Sequence, residues 1–369
     1  MSEYSQEDRQ AISDVFARLL EENFNESTLR ELIETDSGFE RELWQKMADL
    51  GLTGIMISPE CAGADGGLEE VESLMEVAGR FLLSGPFIES CVIAPILLSA
   101  CEDGVFSGAY LNDIAAGRSI FAVAGCGQAG DWTQRPEVTA EQQGEDWCIS
   151  GKAHFVSYAN VADYCLVHAN VDDGTGVFLV AMDDPTIAAT LHQSNDTTQR
   201  FSTLSFNSVS ARQLTGVGVR AWSEALNSAL VALAGEQVGA SHRIFSLTIE
   251  YLKIRHQFGQ PIGRFQALKH IAADLLIELE SATSAARHAA RVIARNGESP
   301  KLVSYLAAFT CADNYRKIAA EAIQLHGGIA YTVEHPAHLY WRRAQTGQWV
   351  YCSSDRLRDL YLSEMEKVL

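Results

Sequence analysis

The run Arg255-His256-Gln257-Phe258-Gly259-Gln260-Pro261-Ile262, followed by Gln266, gathers a guanidinium, three side-chain amides and an aromatic ring around one glycine. An arginine can grip a phosphate through paired N–H donors. Further on, Gln324-Leu325-His326-Gly327-Gly328 sets two adjacent glycines at the end of a helical pattern. Without Cβ atoms, their N–H groups can approach a phosphate closely. Each run also has a plainer explanation, an interhelical turn for the first and a helix C-cap for the second. Both explanations can hold at once. Lys253 to Arg264 and Arg342-Arg343 are local basic clusters that could face phosphates in a chain that is acidic overall.

Three stretches of different periodicity must position these residues. Residues 1–117 read as an α-helical domain: Phe16, Leu19 and Leu20 fit one apolar stripe, and so do Leu43, Met47 and Leu50. Two further helices are expected over Leu68–Leu83 and Phe87–Leu98, broken at Gly85-Pro86. Residues 118–220 change to short β-rich runs: Ser119–Ala124, Glu137–Glu141, Trp147–Ile149, His154–Val156, Tyr164–His168 and Val177–Ala181. Turns such as Gln142 to Asp146 and Asp172-Asp173-Gly174 separate them, which suggests a small antiparallel barrel or sandwich. Residues 221–369 return to the helical period. The runs Trp222–Tyr251, Ile262–Arg295 and Pro300–Leu325, each of 26 to 34 residues, suit a bundle of long antiparallel helices. The expected class is therefore α+β and multi-domain.

Composition excludes several functions. A chain of 369 residues that is 47% hydrophobic can bury a large core in two or three domains. A formal charge of −20 argues against a nucleic-acid partner, which would want a basic face. No apolar run approaches the roughly 20 residues that span a bilayer, so no membrane role is expected. The polar, acidic start Met1-Ser2-Glu3-Tyr4 reads as neither a secretory nor a transit signal, and a soluble cytoplasmic protein is expected. The eight cysteines, at 61, 91, 101, 126, 148, 165, 311 and 352, include no Cys-x-x-Cys pair. They are expected to be mostly buried thiols rather than disulfides or zinc ligands.

The α, β, long-helix order and the full pattern Arg255-x-x-Phe258-Gly259-x-x-Ile262-x-x-x-Gln266 resemble the acyl-CoA dehydrogenase family. Tyr331-Thr332-x-Glu334-x-Pro336 and Leu339-Tyr340-x-Arg342-Arg343-Ala344 continue the likeness, which covers nearly the whole chain and is strongest from Glu236 onward. The resemblance implies an N-terminal helical domain, a middle β-barrel or sandwich, and a C-terminal long four-helix bundle. It also implies FAD as cofactor. Arg255 would pair with the FAD diphosphate, with Gln257 in the same contact set and Phe258 near the adenine. Gln266 would hydrogen-bond the cofactor across a subunit interface. Gln324, Gly327 and Gly328 would supply the second half of the clasp. Phe155 would stand where the family usually has a tryptophan, and Ser157 where a threonine hydroxyl bonds the flavin. The segment Phe121 to Gly127 lacks the usual Thr-Glu-Pro, and Ala124 replaces a flavin-bonding hydroxyl.

The family's reaction removes an α-proton from an acyl thioester and passes the β-hydride to the flavin, so it needs a carbonyl clamp and a carboxylate base. In most members that base lies 23 residues past the second glycine of the Gly-Gly pair; here the position is Tyr351, followed by Cys352. A phenol with a reference pKa of about 10 is a poor base at neutral pH, although its backbone N–H could still serve the carbonyl. The alternative base position, midway along the first bundle helix, falls at Ala229. Glu236 and Asp355 are the neighbouring carboxylates, and for each a structural or solvated role is the simpler reading. These departures resemble the small subunits of two-chain dehydrogenases acting on steroid side chains or dicarboxylic acyl-CoAs. That resemblance implies an acyl-CoA substrate, an electron-transfer flavoprotein as oxidant, and a homo- or heterotetramer with a paralogous subunit. A non-catalytic FAD- or acyl-CoA-binding scaffold and a related flavin oxidase stand as alternatives.

Overall fold

A computed structural model describes residues 4–144 and 146–367; positions 1–3, 368, 369 and Glu145, the last in an expected turn, lie outside the described residues. The chain begins with α1 (Gln6–Asn23), α2 (Glu26–Ile33) and α3 (Arg41–Asp49). Ser5 and Asp8 form a capping box on α1, and the Asn25 side chain accepts from Ser27 and Thr28 N–H to start α2. Phe16, Leu20, Leu43 and Met47 are buried as their spacing predicts. Leu50 is not, at 47% exposed, because α3 stops at Asp49 and the period no longer applies. Next come α4 (Leu68–Phe81), a π-helical turn over Glu89–Ile93, α5 (Ala94–Ser99) and α6 (Gly104–Ala115).

Seven strands follow: β1 (Phe121–Ala124), β2 (Thr139–Gln143), β3 (Asp146–Ser157), β4 (Tyr164–Val171), β5 (Gly174–Ala181), β6 (Ile187–Leu191) and β7 (Phe201–Gln213). β4, β2, β3, β7 and β5 pair in that order, and β5 returns to β4, which closes a barrel. The barrel is not wholly antiparallel, since β1 and β2 both pair with β4 in parallel. The expected runs 147–149 and 154–156 belong to one strand, β3, which is bent by register shifts at Ile149/Gly151 and Ala153/Val156. The second shift leaves Phe155 at φ 54°, and this irregularity made one strand read as two. Aliphatic barrel residues such as Ile149, Val167, Phe178 and Leu204 form a core of their own.

The C-terminal part holds α7 (Val219–Ile254), α8 (Gln266–Ala294), α9 (Pro300–His326), α10 (Ala337–Gly347) and α11 (Ser354–Glu366). The three long helices pack on one another, with α11 against α9. α4 crosses α7 at close range. A Cβ on Gly79 would run into the Glu236 carbonyl, one on Gly239 into the Glu76 carbonyl, and one on Gly235 would lie 2.7 Å from the Glu72 carbonyl oxygen. Among the described residues, no helix is long and apolar enough to cross a membrane.

Candidate active site

The sequence-predicted residues separate into two groups. The first is an exposed clasp at one end of the bundle. Arg255 caps α7, and its carbonyl accepts from the Ile262 N–H at 2.8 Å, which folds residues 256–261 into a tight two-stranded turn. Phe258 at the tip has φ 52° and is 90% exposed, supported edge-on by Phe265 at 6.0 Å. Arg255, Gln257 and Gln266 are exposed. The second run meets the first through a stack of Tyr251, one turn before Arg255, on His326 at 4.6 Å. His326 leads directly into Gly327, whose φ of 66° ends α9. A Cβ on Gly327 or Gly328 would meet nothing within 4 Å, and Gln324 beside them is exposed. The side chains that would crowd an approaching phosphate are therefore missing at this pair, although the Gly327 N–H itself turns back onto the Ile323 and Gln324 carbonyls to cap α9. These residues fit a dinucleotide phosphate.

The second group surrounds a cavity of about 460 Å³ at the junction of barrel and bundle, walled by Trp132, Phe155, Ser157, His192, Trp349 and Tyr351. Its size and aromatic walls suit a planar ring system. Phe155 is half exposed and stacks on His192 at 5.7 Å, while Ser157 is buried. Trp132 is stacked on Trp222 at 5.5 Å and meets Tyr351 edge-on at 4.9 Å. Trp222 continues the stack to the buried His168 at 4.2 Å, whose pKa burial pushes down to about 4. No clasp residue borders this cavity.

Behind Ser157, Val350 and Tyr351 lies a second, much smaller cavity of about 30 Å³, between the end of α4, the π turn and α7. Met75, Ala78, Phe87, Ile88 and Leu233 give its wall apolar groups, and Glu89, Ser157, Tyr158, Gln199 and Glu236 give it polar ones. Tyr351 fills its mouth: the ring is 3% exposed, the backbone sits at φ 66°, and the hydroxyl donates to Glu89 Oε1 at 2.8 Å. Burial holds the phenol well above its ordinary value, and the facing Glu89 carboxyl adds to the effect. Burial likewise raises the Glu89 carboxyl, against hydrogen bonds from Tyr351 and Ser157 that favour its charged form. Sequence reading missed Glu89. Its only local signal is its place in a widened π turn just before Pro95, and its partner is 262 residues away.

The carboxylates weighed from sequence are committed elsewhere. Glu236 accepts from Arg343 at 2.6 Å, and Arg343 also lies 3.5 Å from Asp196 and donates to Thr198 Oγ1 at 2.8 Å. Arg343 is thus buried inside the protein and faces no phosphate, which corrects that expectation; Arg342 beside it is exposed. Asp355 lies in the first turn of α11 but pairs with Arg358 at 2.8 Å with its side chain 95% exposed, so it does not reach back to Tyr351. Ala229 is fully buried. The arrangement can therefore clasp a dinucleotide phosphate and seat a flat ring; Asp131, a carboxylate on the wall of the larger cavity, is tied to Arg356 at 3.4 Å and to the Thr133 N–H at 2.8 Å.

The profile of the acyl-CoA dehydrogenase N-terminal domain matches residues 6–117, and that of the acyl-CoA dehydrogenase C-terminal domain matches residues 216–363. Acyl-CoA dehydrogenase FadE27 of Mycobacterium tuberculosis is 30% identical over 86% of this chain and 86% of that protein. Acyl-CoA dehydrogenase IpdE2 of the same organism is 28% identical over 92% of this chain and 91% of its own length. The crystal structure of the ChsE4-ChsE5 complex from Mycobacterium tuberculosis superposes with a TM-score of 0.91 at 25% identity, over 99% of both chains. The chain belongs to the acyl-CoA dehydrogenase family.

Proposed function

We propose that this protein is the base-deficient subunit of a two-chain, FAD-dependent acyl-CoA dehydrogenase that introduces an α,β double bond into a CoA thioester. The flavin, when bound, accepts the hydride equivalent from the β-carbon. Arg255, Gln257 and Gln266, with the uncrowded backbone at Gly327 and Gly328, would hold its phosphates, with Gln324 beside them and Phe258 near the adenine. The clasp faces outward and borders neither cavity of its own chain, so it serves a nucleotide whose ring lies in a paralogous partner. Ser157 and Phe155 line the corresponding ring cavity of this chain. The observation that carries the reading is Tyr351, a buried phenol that donates a hydrogen bond to Glu89 and stands where the resemblance implies the family's carboxylate. Kinship with a chain of the ChsE4-ChsE5 complex supports a hetero-oligomer. A 26% identical relative described as a subunit of the caffeyl-CoA reductase-Etf complex of Acetobacterium woodii supports an electron-transfer flavoprotein as redox partner.

The test is to purify the tagged chain from its source and to analyse its companions, flavin and activity. A second chain of the same family in equal amount, with FAD, and flavin bleaching by acyl-CoA only in the pair, is the expected result. An FAD-loaded homo-oligomer that bleaches with acyl-CoA by itself would overturn the proposal.

A further inference from the structure

The cavity behind Tyr351 has apolar groups on part of its wall that suit an acyl chain, without the room for one. Apolar side chains come from three elements: Met75 and Ala78 of α4, Phe87 and Ile88 at the π turn, and Leu233 of α7. A lined but unfilled slot would hold several methylene groups; about 30 Å³ is no more than one water's share of liquid volume. The missing space is occupied by the Tyr351 ring. Three contacts hold it there: its hydroxyl on Glu89, its edge on Trp132, and its backbone carbonyl, which accepts from the Trp132 N–H at 2.9 Å.

We propose that Tyr351 is a specificity-determining residue that bars acyl thioesters from this protomer's own slot, with Glu89 as the latch that keeps the ring in place. This deepens the reading above, on which it rests: turnover is confined to the partner because this slot is plugged as well as lacking a base. The backbone geometry supports the assignment. At φ 66°, a left-handed conformation that costs an L-residue energy and glycine none, the chain has kept a bulky aromatic residue. The groups facing the latch leave it little alternative. Ser157 of β3 and Tyr351 are its hydrogen-bond partners, the Glu236 charge on α7 acts against its ionisation, and Cys91 within the same π turn is itself held neutral by burial. Arg343 is paired with Glu236 at 2.6 Å rather than with Glu89.

Tyr351→Gly removes the ring at a position whose backbone suits glycine, and it joins the small cavity to the one of about 460 Å³. The probe is a non-oxidisable acyl-CoA with sulfur in place of the β-carbon, titrated calorimetrically into the assembled enzyme and into the isolated chain. The wild-type assembly should bind one thioester per pair of chains and the isolated wild-type chain none. Tyr351→Gly should raise the count to two per pair and give the isolated chain a site at least tenfold tighter than wild type. Tyr351→Phe, which keeps the ring, should remain closed. Two thioesters per wild-type pair, or equal opening by Phe and Gly, would overturn the proposal, and so would a folded Gly variant that stays closed. The wild-type count decides the matter if the Gly variant does not fold. Titration of the isolated chain keeps the plug testable even if no partner or flavin is found, which would instead count against the two-chain reading.

Discussion

An arginine that ends a 36-residue helix, and two glycines where a Cβ would meet nothing, owe their exposure to local chain geometry. Arg255 projects from the point where α7 must stop, because residues 256–261 turn back on themselves, and so its guanidinium is free of the bundle. A charge-assisted hydrogen bond of this kind contributes about 1.5–3 kcal/mol. Arg255→Ala should therefore weaken FAD binding by the assembled enzyme about tenfold or more, read by flavin titration of the apo form. An unchanged dissociation constant would remove the clasp from the argument. Tyr351 shows the opposite case, in which residue type and position say what is lacking but only the neighbour at Glu89 says what the side chain does instead.

Helix α4 shows how an element can be forced by what it packs on. Its glycine at 79 and those at 235 and 239 in α7 let two backbones meet where ordinary side chains would keep them apart. Gly239→Ala should push α4 from α7 and destabilise the protein by about 1–3 kcal/mol, as overpacking does, measured by denaturant unfolding; a neutral effect would mean that the crossing can relax. The same close approach buries the acidic face of α4. Glu72 is 3% exposed, its Oε1 has no hydrogen-bond partner among the described residues, and burial, helped by Glu76, pushes its pKa from 4.5 up to about 8. The folded state thus keeps a proton that the unfolded chain releases near 4.5, so stability falls as pH rises between about 4.5 and 8. The slope is up to about 1.4 kcal/mol per pH unit. Glu72→Gln should flatten the wild-type decline in melting temperature across that window. Parallel profiles for the two proteins would show that Glu72 ionises normally.

At the scale of the whole molecule, Arg343 ties the three regions together. From α10 it reaches Glu236 on α7, Asp196 and Thr198 before β7, and the Leu82 carbonyl just past α4. Arg200 makes a second tie, donating to the carbonyls of Leu32 and Ile33 in the last turn of α2 and of Thr35 just past it. Removing Arg343 would strand two buried carboxylates, a change that typically costs about 3–5 kcal/mol. Arg343→Ala should lose that much in chemical denaturation, and Arg343→Ala/Glu236→Gln should recover part of it. A loss under about 1 kcal/mol would mean that the cluster is hydrated and holds nothing.

Much of this protein was legible in the residues alone. The turn at 256–261 and the end of α9 were readable because each is a contiguous run, and a Gly-Gly or Gly-x-Pro break acts on the backbone it sits in. The three long helices were readable because their apolar period persists for many turns. β7 escaped notice because Ser202, Thr203, Ser205, Asn207 and Ser208 dilute its strand pattern, and pairing with β3 supplies what its composition does not; the five-residue β6 is held by pairing with β7. Only the tertiary structure decided that Glu89 meets Tyr351, that Arg343 is spent inside the protein, and that the Tyr351 ring borders both cavities. Those outcomes depend on which distant side chains share a volume, and no periodicity along the chain encodes that.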